Sequence, residues 1–320
     1  MKKAKIVATG KWLPERILTN IDLEKMVETS DEWITTRTGI KERRIAEPDM
    51  AASEMAYLAV KDIAKNEPID LIIVSTSTPD TIFPSTACRL QDMLGLSNCA
   101  CFDLSAACTG FSYALECGRR FIETGGSKSA LIVASETTSK FINWKDRSTC
   151  VLFGDGAGAV LLKPADKGGI IGSYFNTNGK LGEVLKIPAG GSRMPASAET
   201  VEKNLHTIQM DGPEVFKYAV LAMSEAIKEI LSTHSLSSDD ISLFIPHQAN
   251  LRIINLLSKR LKIQQEKMFV NLDRYGNMMS ASQPVALDEA VKSGRIKEGD
   301  LILMVAVGGG FTYSATLIEW

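Results

Sequence analysis

The stretch Cys101-Phe102-Asp103-Leu104-Ser105-Ala106-Ala107-Cys108-Thr109-Gly110-Phe111 begins as an apolar, strand-like run and passes through small residues into a helix. Apolar residues continue at the spacing of a helix with one buried face, at Phe111, Ala114, Leu115, Phe121 and Ile122. Cys108 therefore lies at the strand-to-helix junction. Free backbone N–H groups and the positive end of the helix dipole favour the thiolate, the nucleophilic form of cysteine, at such a position. The stretch predicts an α/β unit with a covalent catalyst at Cys108.

The composition of the 320 residues is that of an ordinary globular protein with a large core. A hydrophobic content of 45% and a net charge of -2 give no global attraction to nucleic acid or to an anionic membrane. No apolar run approaches the length of a membrane span, and the first residues lack the apolar region of a signal peptide. The six cysteines show no metal-ligand spacing. They lie on apolar or small-residue segments, as reduced buried thiols do. We therefore expect a cytoplasmic protein that binds neither membrane, nucleic acid nor metal.

Strand-like and helical patterns alternate along the first half. The segment Ser30–Gly39, with an aromatic residue, an arginine and several hydroxyls, resembles a loop. The runs typical of strands are Lys5–Thr9, Leu71–Val74, Ala100–Leu104 and Leu131–Ala134. Helices are predicted over residues 22–28, 50–65 and 86–96 and after Cys108, with Asp49 as the N-cap of the second. This alternation predicts a mainly parallel sheet with helices on its faces.

The second half of the chain repeats the elements of the first. Asp70–Val74 resembles Asp240–Phe244, and Leu131–Ala134 resembles Leu301–Met304. Both pairs are 170 positions apart (240 − 70; 301 − 131). A shared offset with the same order of elements indicates an internal duplication, and the period is far too long for a solenoid.

The duplication predicts two similar α/β halves, residues 1–165 and residues 166–320. The segment Pro164–Gly169 has the Pro, Gly and Asp content of a connection between them. Within a few residues of the same offset, the Cys108 stretch aligns with Val270–Asn277, and each is followed by an apolar helix.

Two polar residues of the second half lie where strands are predicted to end. His247 follows the strand Leu243–Ile245, and Asn277 ends the segment aligned with the Cys108 stretch. Ligand sites in open parallel sheets lie at the carboxyl ends of strands, so related halves would bring Cys108, His247 and Asn277 to one centre. Histidine can act as a base or a donor, asparagine stays a neutral donor, and together they can form an oxyanion site. The run Gly308-Gly309-Gly310 would let backbone N–H groups approach a second oxygen.

Four motifs connect these residues to a known family. They are Asp103-Leu104-Ser105-Ala106-Ala107-Cys108-Thr109-Gly110-Phe111, Pro246-His247-Gln248-Ala249-Asn250, Tyr275-Gly276-Asn277 and Gly308-Gly309-Gly310-Phe311-Thr312. Together they resemble the β-ketoacyl-acyl-carrier-protein synthase III family, the initiating condensing enzymes of bacterial-type fatty acid synthesis. The resemblance extends from Gly10 to Trp320. It implies the thiolase-like fold, an internally duplicated architecture of five α/β/α/β/α layers.

The resemblance also implies a reaction and the residues that perform it. Cys108 would be the nucleophile that takes an acyl group, expected to be acetyl, from acyl-CoA. His247 and Asn277 would stabilise the enolate formed when malonyl-acyl carrier protein loses carbon dioxide, and this enolate would attack the Cys108 thioester. The backbone N–H groups of Cys108 and Gly309 would form an oxyanion site. No cofactor is expected, because the coenzyme A thioester is a substrate.

Further residues are assigned by the resemblance to binding partners. The coenzyme A contacts fall on Trp33, Arg37, Arg147, Phe216 and Asn250. An indole face can stack on adenine, and guanidinium groups bind phosphate oxygens. Phe83 matches a residue that closes the acyl pocket of the neighbouring subunit, which implies a homodimer.

The helix predicted over Asn250–Lys262 has a basic face that includes Arg252, Lys259 and Arg260. A charged helix face is most often only solvated. This helix begins beside the predicted active site, however, and acyl carrier proteins are acidic. We therefore predict that the basic face docks the acyl carrier protein.

Two segments depart from the usual sequence of the family. Met278-Met279 replaces Thr-Ser after Gly-Asn, and Tyr313-Ser314 replaces Trp-Gly. Two flexible thioethers beside the site could reshape the acyl pocket or loosen the loop, so the resemblance does not fix the acyl-chain preference. Two other functions stay open. One is a related thiolase-fold condensing enzyme of secondary metabolism that uses another starter or malonyl-CoA as acceptor. The other is a non-catalytic scaffold that binds coenzyme A or acyl carrier protein, which an intact catalytic set disfavours.

Overall fold

The computed structural model describes residues 2–320 as an α/β protein with two large β-sheets. Its strands are β1 Lys3–Trp12, β2 Ile17–Thr19, β3 Glu42–Arg44, β4 Leu71–Ser75, β5 Ala100–Leu104, β6 Ala130–Glu136, β7 Gly156–Ala165, β8 Gly169–Thr177, β9 Leu185–Lys186, β10 Gln209–Met210, β11 Leu243–Pro246, β12 Leu301–Gly308 and β13 Thr312–Glu319. Its α-helices are α1 Asn20–Glu24, α2 Asp31–Thr38, α3 Ala52–Val60, α4 Thr86–Met93, α5 Gly110–Glu123, α6 Arg147–Cys150, α7 Ala198–Glu202, α8 Gly212–Thr233, α9 Leu251–Leu261, α10 Leu272–Tyr275 and α11 Ser282–Lys292. None of these described helices is long and apolar enough to span a lipid bilayer.

The two large sheets have the same topology. Their strand orders are β1-β7-β6-β4-β5 and β8-β13-β12-β11. In the first sheet, β7 is antiparallel to both β1 and β6, whereas β6, β4 and β5 are parallel. In the second sheet, β13 is antiparallel to both β8 and β12, and β12 is parallel to β11. In the second sheet, a parallel bridge between Phe244 of β11 and Met268 occupies the position that β5 occupies in the first sheet. The predicted internal duplication is therefore a feature of the fold.

The sheets are mixed, so the prediction of a mainly parallel sheet is wrong. β12 ends at Gly308 and β13 begins at Thr312, and so short a connection permits only an antiparallel return. The apolar character of a buried strand carries no information about its direction. Equivalent elements are 172 positions apart rather than 170, because α5 and α11 begin at Gly110 and Ser282 and β6 and β12 end at Glu136 and Gly308 (282 − 110; 308 − 136).

The fold has five layers, and opposite faces of each sheet are covered by different helices. Leu71 and Ile73 of β4 belong to the central core, where α5 and α11 pack between the two sheets. Ile72 and Val74 belong to the core that α3 and α4 form on the outer face of the first sheet. α8 and α9 cover the outer face of the second sheet. Burial on both faces explains the continuous apolar strands, and the layering is that of the predicted α/β/α/β/α architecture.

The segment Ser30–Gly39, predicted as a loop, is the helix α2. The Ser30 side chain accepts a hydrogen bond from the backbone N–H of Trp33 at 3.0 Å, and Gly39 ends the helix with a φ of +82°. A serine before two acidic residues and a glycine after the last turn are helix boundaries that the loop interpretation overlooked.

The other predicted helices of the first half are shorter than expected. α1 ends at Glu24, α3 at Val60 and α4 at Met93. The N-terminus of α3 is closed by Glu54, whose carboxylate accepts from the backbone N–H of Ala51 at 2.7 Å, and not by Asp49.

The connection between β7 and β8 lies against both the first and the last strand. β7 ends at Ala165 and β8 begins at Gly169. A β-carbon on Gly169 would be 2.5 Å from the Ala4 carbonyl oxygen, and one on Gly168 would be 3.1 Å from the Glu319 carbonyl oxygen. Both glycines have positive φ angles, +104° and +68°. The division of the chain between residues 165 and 166 stays a prediction.

Candidate active site

Cys108 lies on a 3-10 turn, Ala107–Thr109, between β5 and the long helix α5. Ala107 has a φ of +47°, in the left-handed region that residues other than glycine occupy at a cost of about 1 kcal/mol or more. The Thr109 hydroxyl hydrogen-bonds with the hydroxyl of Thr312, the first residue of β13, at 2.7 Å. The turn is thereby fixed between the two halves, and Cys108 is buried in it.

The end of β12 packs directly against this turn. A β-carbon on Gly308 would be 2.7 Å from the backbone nitrogen of Cys108 and 3.0 Å from that of Thr109. Because Gly308 has no side chain, β12 does not block the backbone N–H of Cys108.

His247 follows the last residue of β11, as predicted. Its backbone N–H donates to the Val305 carbonyl at 2.8 Å, which fixes the residue to the neighbouring strand β12. The side chain is buried, and its Nδ1 has no hydrogen-bond partner among the described residues. Burial lowers the pKa of His247 to about 4, so the imidazole is neutral at pH 7. A neutral imidazole can both accept a proton and donate a hydrogen bond.

Asn277 is held by its backbone in a buried segment before α11. Its N–H donates to the Leu152 carbonyl at 2.8 Å, and its carbonyl accepts from the Gly154 N–H at 3.0 Å. The side-chain Oδ1 accepts from the Met279 N–H at 2.8 Å. With the oxygen occupied in this way, the amide presents its N–H groups as donors.

A cavity of about 630 Å³ brings the three predicted catalytic residues together. Cys108, His247 and Asn277 all line it. Gly308 also lines the cavity, whereas Gly309 does not. The predicted coenzyme A and carrier-protein residues that line it are Trp33, Arg37, Phe216, Asn250 and Arg252.

The environment of Cys108 opposes ionisation. Burial raises the pKa of its thiol to about 12, and the nearby carboxylate of Glu136 acts in the same direction. The backbone N–H of the turn lowers the pKa, in the direction predicted for a helix N-terminus, but the loss of hydration outweighs it. A nucleophilic sulfur would require a proton acceptor in the cavity, and His247 lines the same space.

Two cation–π pairs lie at the mouth of the cavity. The Arg147 guanidinium lies 4.9 Å from the centroid of the Trp33 ring, and that of Arg252 lies 5.3 Å from the Phe216 ring. Arg147 does not itself line the cavity. Asn250 caps α9, accepting from the Arg252 N–H at 2.8 Å, and its side-chain amide donates to the backbone carbonyl of the neighbouring helix α2 at 3.2 Å.

Comparison with known proteins agrees with this geometry. The model of the 3-oxoacyl-[acyl-carrier-protein] synthase III family matches residues 102–179, and the model of its C-terminal part matches residues 231–320. A β-ketoacyl-[acyl-carrier-protein] synthase III of Caldanaerobacter subterraneus subsp. tengcongensis is 56% identical, over 99% of this chain and 98% of the relative. The chain belongs to the β-ketoacyl-acyl-carrier-protein synthase III family.

Solved structures of synthase III relatives have the same fold. The 3-oxoacyl-[acyl-carrier-protein] synthase III of Aquifex aeolicus is 46% identical with a TM-score of 0.92, over 99% of this chain and 100% of that one. The priming β-ketosynthase of the R1128 polyketide biosynthetic pathway is 36% identical with a TM-score of 0.91, over 99% of this chain and 96% of that one. The predicted thiolase-like fold is confirmed, and the chain is a condensing acyltransferase of the type that initiates fatty acid synthesis.

The methionine pair Met278-Met279 is buried. Met278 is fully buried, and a β-carbon on Gly156 would be 2.6 Å from its sulfur. Met279 has a φ of +47° and packs in the same apolar cluster as Cys108 and Phe153. Met279 therefore lies in the same apolar cluster as the predicted nucleophile, and that the pair departs from the usual sequence of the family stays a prediction.

Besides Arg147, three predicted partner residues lie outside the cavity. Phe83 is 83% exposed and follows Ile82, which is 85% exposed. Lys259 and Arg260 are exposed in the last turn of α9.

Glu136 was not identified from the sequence. It ends β6 and is fully buried near Cys108. The sequence signal that could have identified it is a carboxylate at the end of an otherwise uncharged, largely apolar strand.

Proposed function

We propose that the chain catalyses the decarboxylating Claisen condensation of an acyl-CoA primer, expected to be acetyl-CoA, with malonyl-acyl carrier protein. The product would be β-ketoacyl-acyl carrier protein, the first intermediate of fatty acid biosynthesis. The common cavity of Cys108, His247 and Asn277 is the observation that carries the proposal. One thiol and two neutral donors around one space suit an acyl-enzyme followed by an enolate. The coenzyme A thioester is a substrate, and the reaction uses no cofactor.

In the first stage, Cys108 takes the acyl group. Its buried thiol is a weak acid, so the proton passes to neutral His247 as the sulfur bonds to the thioester carbonyl carbon. The backbone N–H groups of Cys108 and Gly309 stabilise the resulting oxyanion, and Gly308 leaves the first of these accessible. The bond from the carbonyl carbon to the coenzyme A sulfur then breaks, and the proton moves from His247 to the departing thiolate.

In the second stage, malonyl-acyl carrier protein occupies the cavity. The bond between the malonyl methylene carbon and the carboxylate carbon breaks, and carbon dioxide leaves. The enolate oxygen that results accepts hydrogen bonds from His247 and Asn277. The enolate carbon bonds to the Cys108 thioester carbon, and the carbon–sulfur bond breaks. The Cys108 thiolate takes one proton from solvent, which completes the cycle. The occupied Oδ1 of Asn277 leaves its N–H groups for this role.

The mouth of the cavity suits the nucleotide end of coenzyme A. Trp33 carries the Arg147 guanidinium on one side, so the indole is available to adenine on the other. Arg37 and Arg147 supply guanidinium groups for phosphate oxygens. Phe216 and Asn250 line the path between this mouth and Cys108.

Acyl carrier protein would dock on the basic face of α9. Arg252 lies at the cavity mouth, and Lys259 and Arg260 extend the positive charge along the same helix. Acidic carrier proteins would be attracted to this face electrostatically. The exposed Phe83 supports a homodimer in which it closes the acyl pocket of the second copy, since an exposed apolar pair is typical of an interface. The reaction would take place in the cytoplasm.

Mass spectrometry of the intact protein after incubation with a panel of acyl-CoA thioesters tests the proposal. We expect acetyl-CoA to add an acetyl group to Cys108, C108A to remain unmodified, and malonyl-acyl carrier protein to discharge the acyl-enzyme. An acyl-enzyme that malonyl-acyl carrier protein does not discharge would contradict the proposed acceptor.

A related condensing enzyme of secondary metabolism is the second candidate. The similarity to a priming ketosynthase of a polyketide pathway favours it, as does the buried Met279 beside Cys108. Faster acylation by another starter, or discharge by malonyl-CoA, would support this candidate. A non-catalytic scaffold is disfavoured, and it would predict full cellular function of C108A.

A further inference from the structure

The second half contains a turn with the same geometry as the Cys108 turn. A 3-10 turn precedes α11 as another precedes α5, and their first residues, Met279 and Ala107, both have a φ of +47°. Their central residues, Ser280 and Cys108, are 172 positions apart, the same offset that separates the starts of α5 and α11 and the ends of β6 and β12 (280 − 108). Ser280 is therefore the counterpart of Cys108, which shifts the predicted alignment of the Cys108 stretch with Val270–Asn277 by several residues.

The strands that face the two turns differ at one position. At the same offset of 172, Gly308 at the end of β12 corresponds to Glu136 at the end of β6 (308 − 136). Gly308 lets the end of β12 pack directly against the Cys108 turn, and both residues line the cavity. Glu136 instead lies beside Ser280, whose hydroxyl donates to its carboxylate at 2.6 Å. One turn therefore borders the substrate cavity, and the other binds a buried carboxylate.

Glu136 connects the two halves of the protein. It is fully buried, and it accepts hydrogen bonds from the Thr78 hydroxyl at 2.9 Å and the Ser77 backbone N–H at 3.0 Å. Those two residues follow β4 of the first half, whereas Ser280 belongs to the second half. Its contacts with the second half are with Ser280, whose hydroxyl donates at 2.6 Å and whose backbone N–H also lowers the pKa of the carboxylate.

The path from Glu136 to Asn277 is short. Ser280 is three residues beyond Asn277, and the Met279 N–H between them donates to the Asn277 side-chain oxygen. We propose that Glu136 is a positioning residue that, through Ser280, holds the turn carrying Asn277 against the turn carrying Cys108. This inference rests on the proposed role of Asn277 in decarboxylation.

The carboxylate also acts on Cys108 through its charge. Burial raises the pKa of Glu136 to about 7, although its hydrogen-bond donors oppose the shift, so the charge is largely present above pH 7. That charge contributes to the raised pKa of Cys108, the titratable group on the facing turn. The turn before α11 and the residues after β4 present hydroxyl and amide groups to Glu136. Asp155, which precedes β7, is instead bound to Ser139 and Ala46.

The positioning role is tested by measuring the two stages separately in S280A. We expect the rate of Cys108 acylation by acetyl-CoA to stay within about twofold of wild type, while condensation with malonyl-acyl carrier protein falls about tenfold. S224A is the control, because Ser224 is a buried serine that does not line the cavity, and its hydroxyl donates to the Val220 carbonyl within α8. An equal loss in both stages, or no loss in either, would overturn the proposal.

The charge of Glu136 is tested without substrate by following iodoacetamide alkylation of Cys108 between pH 7 and 10, with peptide mass spectrometry. E136Q should alkylate about fivefold faster than wild type at pH 8.5, whereas E136D, which keeps the charge, should retain the wild-type profile and lose condensation. An unchanged profile in E136Q would overturn the electrostatic part. If E136Q does not fold, E136D and S280A still decide the positioning role. Failure of the proposed function is distinguishable, because wild type itself would then fail to condense.

Discussion

Gly308 lies so close to Cys108 that no side chain fits between them, because a β-carbon at position 308 would be 2.7 Å from the Cys108 backbone nitrogen. We expect G308A to displace the turn or to block that N–H, and to slow acylation of Cys108 by about tenfold or more. Rapid-quench mass spectrometry of the acyl-enzyme measures this rate. Gly191 provides the control, since nothing lies within 4 Å of a β-carbon there, and G191A should acylate at the wild-type rate. Equal rates for G308A and wild type would contradict this role of the glycine.

Arg147 should contribute to substrate binding more than to chemistry. Its guanidinium lies 4.9 Å from the centroid of the Trp33 ring at the cavity mouth. R147A should raise the KM for acyl-CoA about tenfold and leave kcat within about twofold, because it removes one cation and the partner of the indole. R147K, which keeps the charge without the planar group, should give an intermediate KM. K228A, at an exposed position of α8, is the control and should match wild type. A loss confined to kcat would argue against a coenzyme A contact.

Met279 should restrict the length of the acyl chain. It is 9% exposed and belongs to the apolar cluster that contains Cys108 and Phe153. M279S should raise kcat/KM for a six-carbon acyl-CoA relative to acetyl-CoA by about tenfold, and the lost packing should lower the free energy of unfolding by about 2 kcal/mol. M279L keeps most of the volume and should keep the wild-type preference. If M279S destabilises the protein without altering the preference, Met279 is a packing residue only.

The buried His247 should make stability depend on pH. Its pKa is lowered from 6.5 to about 4 in the folded chain, so the unfolded chain binds a proton at this residue at higher pH than the folded chain does. The free energy of unfolding is therefore highest above pH 6.5, where His247 is neutral in both states. It falls by at most about 3 kcal/mol as the pH decreases from 6.5 toward 4. Urea unfolding at pH 7.5 and pH 4.5 measures the difference.

H247Q should lose less stability over the same interval, because glutamine does not titrate. S224A serves as the control, since it removes a buried polar side chain that does not titrate, and it should leave the wild-type loss unchanged. Equal losses in wild type and H247Q would show that other groups cause the pH dependence.

Much of the architecture was predictable because the two halves contain similar apolar segments in the same order. The strand before Cys108, the basic helix α9 and the common site of Cys108, His247 and Asn277 were all predicted, and the structure brings the three side chains to one cavity. Whether these three residues perform the chemistry stays a prediction that the variants above test.

Other features depend on contacts between segments distant in sequence. The direction of β7 and β13 is set by connections, not by the strands' own residues. The raised pKa of Cys108 follows from burial and from a carboxylate 28 positions away (136 − 108), neither of which a local pattern records. The helix α2 is a different case, because its cap residues were present in the sequence and were outweighed by the mixed polar composition of the segment.

The connection between the two halves lies where the first strand and the last strand meet, with Gly169 against Ala4 and Gly168 against Glu319. The start of β1, the end of β13 and the connection between β7 and β8 are therefore neighbours in the structure. A polypeptide with the halves in the reverse order would need only a short new link from β13 to β1 and a break between β7 and β8, with every layer in its present place. The fold itself therefore does not require the first half to precede the second in the chain.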